Sequence, residues 1–359
     1  MVKTARVLVW IGLIVLIGID PGAGPWQATS PALAQDQGQV PGDALGNSSD
    51  AEFWRAIRRG ERFTTSLPDN QGGLLIQSEG DNWRAFRNGP LSTYGAWALL
   101  GIVALLALFF VIRGRIRIEH GRSGRTITRF GFLDRFAHWL TATCFVVLAL
   151  TGLNMLYGRY ALRPLIGPDL FSMLMLGGKY AHNFLAFGFM VGLVLIIVLW
   201  IWQNFPNRYD FVWLAKGGGM LTKGTHPPAK KFNAGQKLVF WLVVLGGISV
   251  SLSGLMLMFP FEYEAFGPTF GWINDIFGTE LPSALAPMQE MQLAQLWHAI
   301  MGLFLTVVII GHIYIGTIGM EGAFDAMGRG KVDENWAREH HNLWVRDLER
   351  KGVVSGGDD

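Results

Sequence analysis

Cysteine is almost absent: Cys144 is the single one in 359 residues. An internal disulfide, a cysteine-ligated cluster and a CxxCH haem-attachment motif are therefore excluded. Charge is scarce too, at 16% of residues, whereas half of the chain is hydrophobic and mean hydropathy is +0.30. So little charge over such a length argues against a soluble domain and for an integral membrane protein. No internal repeat is visible. One stretch, residues 260–295, lacks Lys and Arg altogether and carries Glu262, Glu264, Asp275, Glu280 and Glu290. The net charge of +3 and pI near 9 do not point to nucleic acid, because most basic residues lie in loops at one end of the apolar runs, as membrane topology requires.

Along the chain, Lys3 and Arg6 precede a short apolar run at 7–19, and Ala32-Leu33-Ala34 offers a small-residue cleavage site. This reads as a signal peptide over 1–34, with an uncleaved anchor as the alternative. Residues 35–92 form an exported polar segment with an expected short helix at 51–59. Its Trp54, Trp83 and Phe86 can dock on a partner, or the segment is a solvated tether. The first transmembrane helix is expected at 93–113, followed at once by Arg113, Arg115 and Arg117. Basic residues mark the cytoplasmic side, so this helix runs inward. Four further spans, near 134–156, 180–203, 238–259 and 296–319, then alternate. The inward loop 204–237 carries Arg208, Lys216, Lys223, Lys230, Lys231 and Lys237. The outward loop 260–295 is the one without basic residues. The other outward loop, 157–179, holds Arg159, Arg163 and Lys179. The tail 321–359 falls on the cytoplasmic side, its end from Gly352 expected to be disordered.

Four histidines interrupt three of the last four spans. His298 and His312 share one apolar run, and their spacing of fourteen returns nearly to the same helical face, roughly 21 Å further along the axis. His138, in FAHWL, starts one span on the inner side; His182, in YAHNF, starts the next on the outer side. Depth therefore pairs His138 with His312 and His182 with His298. A membrane imidazole is costly and marks function by default. Two imidazoles from facing helices suit a six-coordinate haem, so 128–320 reads as a four-helix bundle holding two haems. Each level offers only two strong ligands, which disfavours zinc or copper. Gly188, Gly192, Gly302 and Gly311 admit a macrocycle, or serve ordinary helix packing. His120 and His226 read as loop residues. His340 and His341 can bind metal or take part in proton uptake, with an exposed structural role the plainer reading. Trp139, Trp200, Trp202 and Trp213 fit an aromatic belt at the inner surface. The turn at Asn233 and Gly235 offers hydrogen-bond donors for a quinone beside Gln236, or is simply a helix entry.

The sequence RFGFLDRFAHW, KYAHNF, NRYDFVWL, FNAGQK, LWHAIMG with GHIYIG, and WAREHHNLW resembles the gamma subunit, a cytochrome b, of membrane-bound formate dehydrogenase. The resemblance covers most of residues 128–350, and the N-terminal extension looks like a longer form. It implies an all-α membrane protein: a four-helix haem-binding bundle plus one additional N-terminal transmembrane helix. It implies two b haems, the outer on His182 and His298 and the inner on His138 and His312, and a site for quinone, menaquinone or ubiquinone, at Asn233 and Gly235. The implied partners are a catalytic molybdenum or tungsten pterin subunit and an iron–sulfur subunit, in the bacterial inner membrane. On this reading the chain is an electron-transfer subunit, with formate oxidised elsewhere. A nickel–iron hydrogenase cytochrome b or another respiratory reductase subunit, and a haem-free membrane anchor, remain the alternatives.

Overall fold

The structure, a computed structural model, describes Arg55, Arg58, Arg59 and residues 77–354 apart from 221 and 223. The expected signal peptide, Trp54, most of the helix at 51–59 and residues 355–359 lie outside the described residues. Among the described residues, five helical stretches are long and apolar enough to cross a membrane: Gly80–Arg113, Phe132–Ala161, Pro168–Gln203, Ala234–Met258 and Pro287–Gly319.

Helix α1 (Gln77–Phe86) runs through a π-helical turn at Arg87–Leu91 into α2 (Ser92–Arg113). Within α2 only Gly95 is buried, while Trp97, Val103, Leu105 and Val111 are exposed; in a membrane these face lipid. At Gly95 a Cβ would stand 2.6 Å from the Leu303 side chain and 2.8 Å from the Tyr157 hydroxyl. The Tyr157 hydroxyl donates to the Ser92 carbonyl at 2.9 Å, fixing the N-terminal end of the extra helix.

The four-helix part consists of α3 (Phe132–Ala161), α4 (Pro168–Trp200), α6 (Ala234–Met258) and α8 (Pro287–Tyr314). Helix α3 packs chiefly on α4, and α6 on α8. Buried positions recur every three or four residues, as at Phe189, Leu193, Ile196 and Trp200 on α4 and Lys237, Phe240 and Val244 on α6, giving each helix one inward stripe. Gly192 lets α3 and α4 touch: a Cβ there would lie 3.0 Å from the Thr141 backbone nitrogen, and one at Gly188 would lie 2.9 Å from Cys144 Sγ. For these two glycines, helix packing is the use observed.

The helices outrun the expected spans. The expected outward loop 157–179 is mostly helical: α3 continues to Ala161, one turn follows at Arg163–Ile166, and α4 starts at Pro168. Gly167 makes that corner at φ +81°, and proline fits the first helical position because its missing N–H has no partner there anyway. At 33 residues, α4 is roughly 50 Å long, well beyond a hydrocarbon core of about 30 Å. Hydropathy had marked the apolar part, not the helix. The loop 260–295 likewise contains α7 (Phe266–Phe277). Glu290 is not an exposed acid there: it is 2% exposed and accepts from the backbone N–H groups of Ala265, Phe266 and Gly267.

On the opposite side, the segments after α2 and α8 meet at a parallel bridge, Ile116 with Met320. Strands β1 (Thr126–Thr128) and β2 (Lys331–Asp333) pair antiparallel, a small departure from an all-helical chain. Helix α5 (Arg208–Ala215) precedes α6, and α9 (Ala323–Gly328), α10 (Glu334–His340) and α11 (Asn342–Arg350) follow α8. The tail is built in, not loose. His341 is fully buried and donates from Nδ1 to the Lys230 carbonyl at 2.7 Å; Trp336 and Val345 are buried with it. The exposed role expected for His340 and His341 is thus corrected, since these imidazoles pack on Trp336. Trp200 also leaves the expected aromatic belt: it is buried and donates to Asp134 at 2.7 Å.

Candidate functional site: two facing histidine pairs

The pair expected on the outer side joins α4 to α8. His182 and His298 have ring centroids 6.1 Å apart with planes at 65°. Behind His182, Thr151 Oγ1 lies 2.8 Å from Nδ1 and within 2.8 and 3.0 Å of the Val147 and Leu148 carbonyls. A hydroxyl has one proton. Bonded back to its own helix, Thr151 uses it on a carbonyl and accepts the Nδ1 proton of His182. Ser253 repeats this for His298, with Nδ1 at 3.1 Å and the Ser249 and Val250 carbonyls at 3.1 Å. With the hydroxyl proton on a helix carbonyl, each imidazole carries its proton at Nδ1 and keeps its lone pair on Nε2, the form needed by a ligand. Gly254 makes room, because a Cβ there would lie 3.1 Å from His298 Cε1.

The inner pair joins the start of α3 to the end of α8. His138 and His312 have centroids 6.1 Å apart with planes at 56°. His138 Nδ1 is buried without a hydrogen-bond partner. Helix α8 turns π-helical at Ile315–Gly319, three residues after His312, a distortion often found beside functional sites.

These separations fit one metal ion between each pair. With metal–nitrogen bonds of about 2.0–2.1 Å and about 1.1 Å from nitrogen to ring centre, two opposed imidazoles have centroids about 6.3 Å apart. Among the described residues no group of three or more His, Cys, Asp or Glu is gathered to hold a metal ion. Two ligands cannot complete a zinc site, whereas haem brings four nitrogens of its own and needs two more. Gly302 and Gly311, on the helix bearing His298 and His312, have nothing within 4 Å of a Cβ position. The residues present fit a haem at each level.

Asn233 caps α6. Its Oδ1 accepts from the Gln236 N–H at 2.9 Å, while Gln236 Oε1 accepts from the Asn233 N–H at 3.1 Å. The helix-entry reading of this turn is what the backbone adopts, and the carboxamide keeps Nδ2 free of that box. Above it, the Trp213 ring covers Gly235, where a Cβ would come within 2.9 Å of Trp213. Lys237, one turn on, is buried in a 2.8 Å ion pair with Asp210 of α5. Arg129 reaches Gln236 Oε1 at 3.2 Å; burial lowers its pKa to about 9, so it stays charged at neutral pH.

The model of the prokaryotic cytochrome b561 family matches residues 129–330. More than half of the sequence lies within that match, including all four paired histidines. The chain belongs to this family.

As a b-type cytochrome it is also similar to curated proteins. It is 26% identical over 230 residues to the cytochrome b556(Fdn) subunit of nitrate-inducible formate dehydrogenase from Escherichia coli K12, covering 63% of this chain and 93% of that one. The cytochrome b556(fdo) subunit of formate dehydrogenase from the same strain is 26% identical, over 63% and 94%. The formate dehydrogenase cytochrome b556 subunit of Haemophilus influenzae is 24% identical, over 59% and 79%. The expected resemblance is borne out, as is the all-helical membrane bundle with one extra helix. The sequence did not single out Thr151, Ser253, Gly254 or the Asp210–Lys237 pair. A hydroxyl at the depth of each outer histidine was the available signal.

Proposed function

We propose that this cytochrome holds two b haems, one between His182 and His298 and one between His138 and His312, and carries electrons from a donor on the outer side to a quinone at the inner face. The reading is carried by the two imidazole pairs, each facing across 6.1 Å at its own depth, in a chain of a cytochrome family. When bound, a haem supplies reversible one-electron exchange at its iron. The protein supplies the rest: Thr151 and Ser253 hold the outer imidazoles in the ligand tautomer, and Gly254, Gly302 and Gly311 leave room. At the inner end Asn233 Nδ2 donates to a quinone carbonyl near Gly235, and Trp213 walls the slot. Two protons drawn from the cytoplasmic side complete each quinol, so the transfer builds a membrane potential.

The relatives' names support formate dehydrogenase as the parent complex; the proposal adds a molybdenum or tungsten pterin subunit and an iron–sulfur subunit, both outside the bacterial inner membrane. Formate is then oxidised in the partner. The outer side is that of the acidic loop 260–295, with the tail in the cytoplasm and an N-terminal signal segment exporting residues 35–92.

An anaerobic visible difference spectrum of membranes containing the complex, before and after formate, tests this. Reduced b-haem bands that vanish when the subunit is deleted are expected. Bands with dithionite but not with formate would point to another donor, such as a hydrogenase. No subunit-dependent band with either reductant would leave only a membrane anchor.

A further inference from the structure

A cavity of about 750 Å³ opens where α5, Lys230 and α11 meet on the basic side of the protein. We propose that it binds a phosphate group, as a lipid headgroup or as free phosphate.

Its charge is unbalanced. Arg350 is paired with Asp347, and Glu349 is held by Arg338 at 2.6 Å. That accounts for the two acids in the wall. Arg208, Lys230 and Arg346 also line it, and none of them has a carboxylate within ion-pair distance among the described residues. Three cations thus face one space, and Tyr209, whose hydroxyl lies 2.9 Å from Arg208, adds a polar edge. Phosphate suits such a site because its oxygens accept from several guanidinium and ammonium groups at once.

The walls are set before any ligand arrives. The Lys230 carbonyl is pinned by buried His341, and the Ala229 carbonyl accepts from the Leu343 N–H at 3.1 Å. Asn207 and Asp210 close the first turn of α5 in a reciprocal capping box. Little ordering remains to be done on binding.

The surroundings favour a lipid as the source. Helix α5 leaves Phe211 71% exposed and Leu214 54%, and just before it Trp202 is 81% exposed. Aromatic and aliphatic side chains in such a row sit at the membrane boundary. The cations beside them meet the headgroups of an anionic inner leaflet, which draws in juxtamembrane Lys and Arg.

The test is native mass spectrometry of the purified complex from nanodiscs of phosphatidylcholine with and without phosphatidylglycerol, beside calorimetric titration with inorganic phosphate. The variant is Arg208→Gln/Lys230→Gln/Arg346→Gln, all exposed positions, and its b-haem spectrum reports that the bundle is intact. The control Arg159→Gln/Arg163→Gln neutralises charge on the opposite side. Retained phosphatidylglycerol that weakens by roughly fivefold per charge removed in the variant and not in the control supports a lipid headgroup. Calorimetric binding of phosphate, lost in the variant, without lipid enrichment supports the free anion. Binding of neither, or equal loss in the control, overturns the proposal.

Discussion

Thr151 and Ser253 each have one hydroxyl proton, and the carbonyls of their own helices take it. That small fact makes both hydroxyls acceptors for Nδ1 and leaves the Nε2 lone pairs available. Thr151→Val keeps the shape and deletes the acceptor, so outer-haem affinity is expected to fall 10–100-fold, read by haem titration of the apoprotein; unchanged affinity would remove Thr151 from this role. At Gly254 an alanine Cβ would sit 3.1 Å from His298. Gly254→Ala is therefore expected to shift the outer-haem spectrum and leave the inner one alone. The histidines were legible in the sequence because an imidazole in an apolar run has few other reasons to be there. Their hydroxyl partners were not, because Ser and Thr bond back to the helix in many membrane spans without any ligand nearby.

Among the elements, the turn at Asn233 caps α6, and the proposed function gives it a second job that one substitution separates. Aspartate caps a helix about as well as asparagine but has no amide donor. Asn233→Asp should keep the melting temperature and lose quinol formation, whereas Asn233→Ala should cost about 1 kcal/mol of stability as well. Equal quinone reduction in Asn233→Asp and wild type would take Asn233 out of the quinone site. In the tail, burial lowers the pKa of His340 to about 4 and that of His341 well below the usual 6.5. Glu339 and Glu119 oppose the shift at His340, while Arg129 and His226 add to it. Unfolding thus takes up protons below pH 6.5: tail stability is complete above that value and is lost as pH falls towards 4. Hydrogen exchange of α10 and α11, corrected for intrinsic rate, should show falling protection from about pH 7 to about pH 5, and His340→Gln should flatten the change. Sequence pattern located the apolar core of each span well. It missed how far α4 extends at its N-terminal end, to Pro168, because hydropathy reports the hydrocarbon layer while backbone hydrogen bonds continue past it. It also missed the packed tail, whose contacts join residues over 100 positions apart, as the Lys230 carbonyl joins His341.

For the whole molecule, the two histidine pairs in one helix bundle form, on the proposed function, a path from one face of the membrane to the other. The pairing by depth could be worked out from the sequence since helix rise and span direction fix it. The ring separations could not, because they depend on how α3, α4 and α8 pack. If the path is complete, His312→Ala should stop quinone reduction while formate oxidation by a soluble artificial acceptor continues. Loss of both activities would mean that the substitution had disrupted the complex. The central claim is tested most directly by counting haem in the purified complex with the pyridine haemochrome assay. The account predicts two b haems for each copy of this chain, and one in each of His298→Ala and His312→Ala. One haem or none in the wild type, or two in either variant, would contradict it.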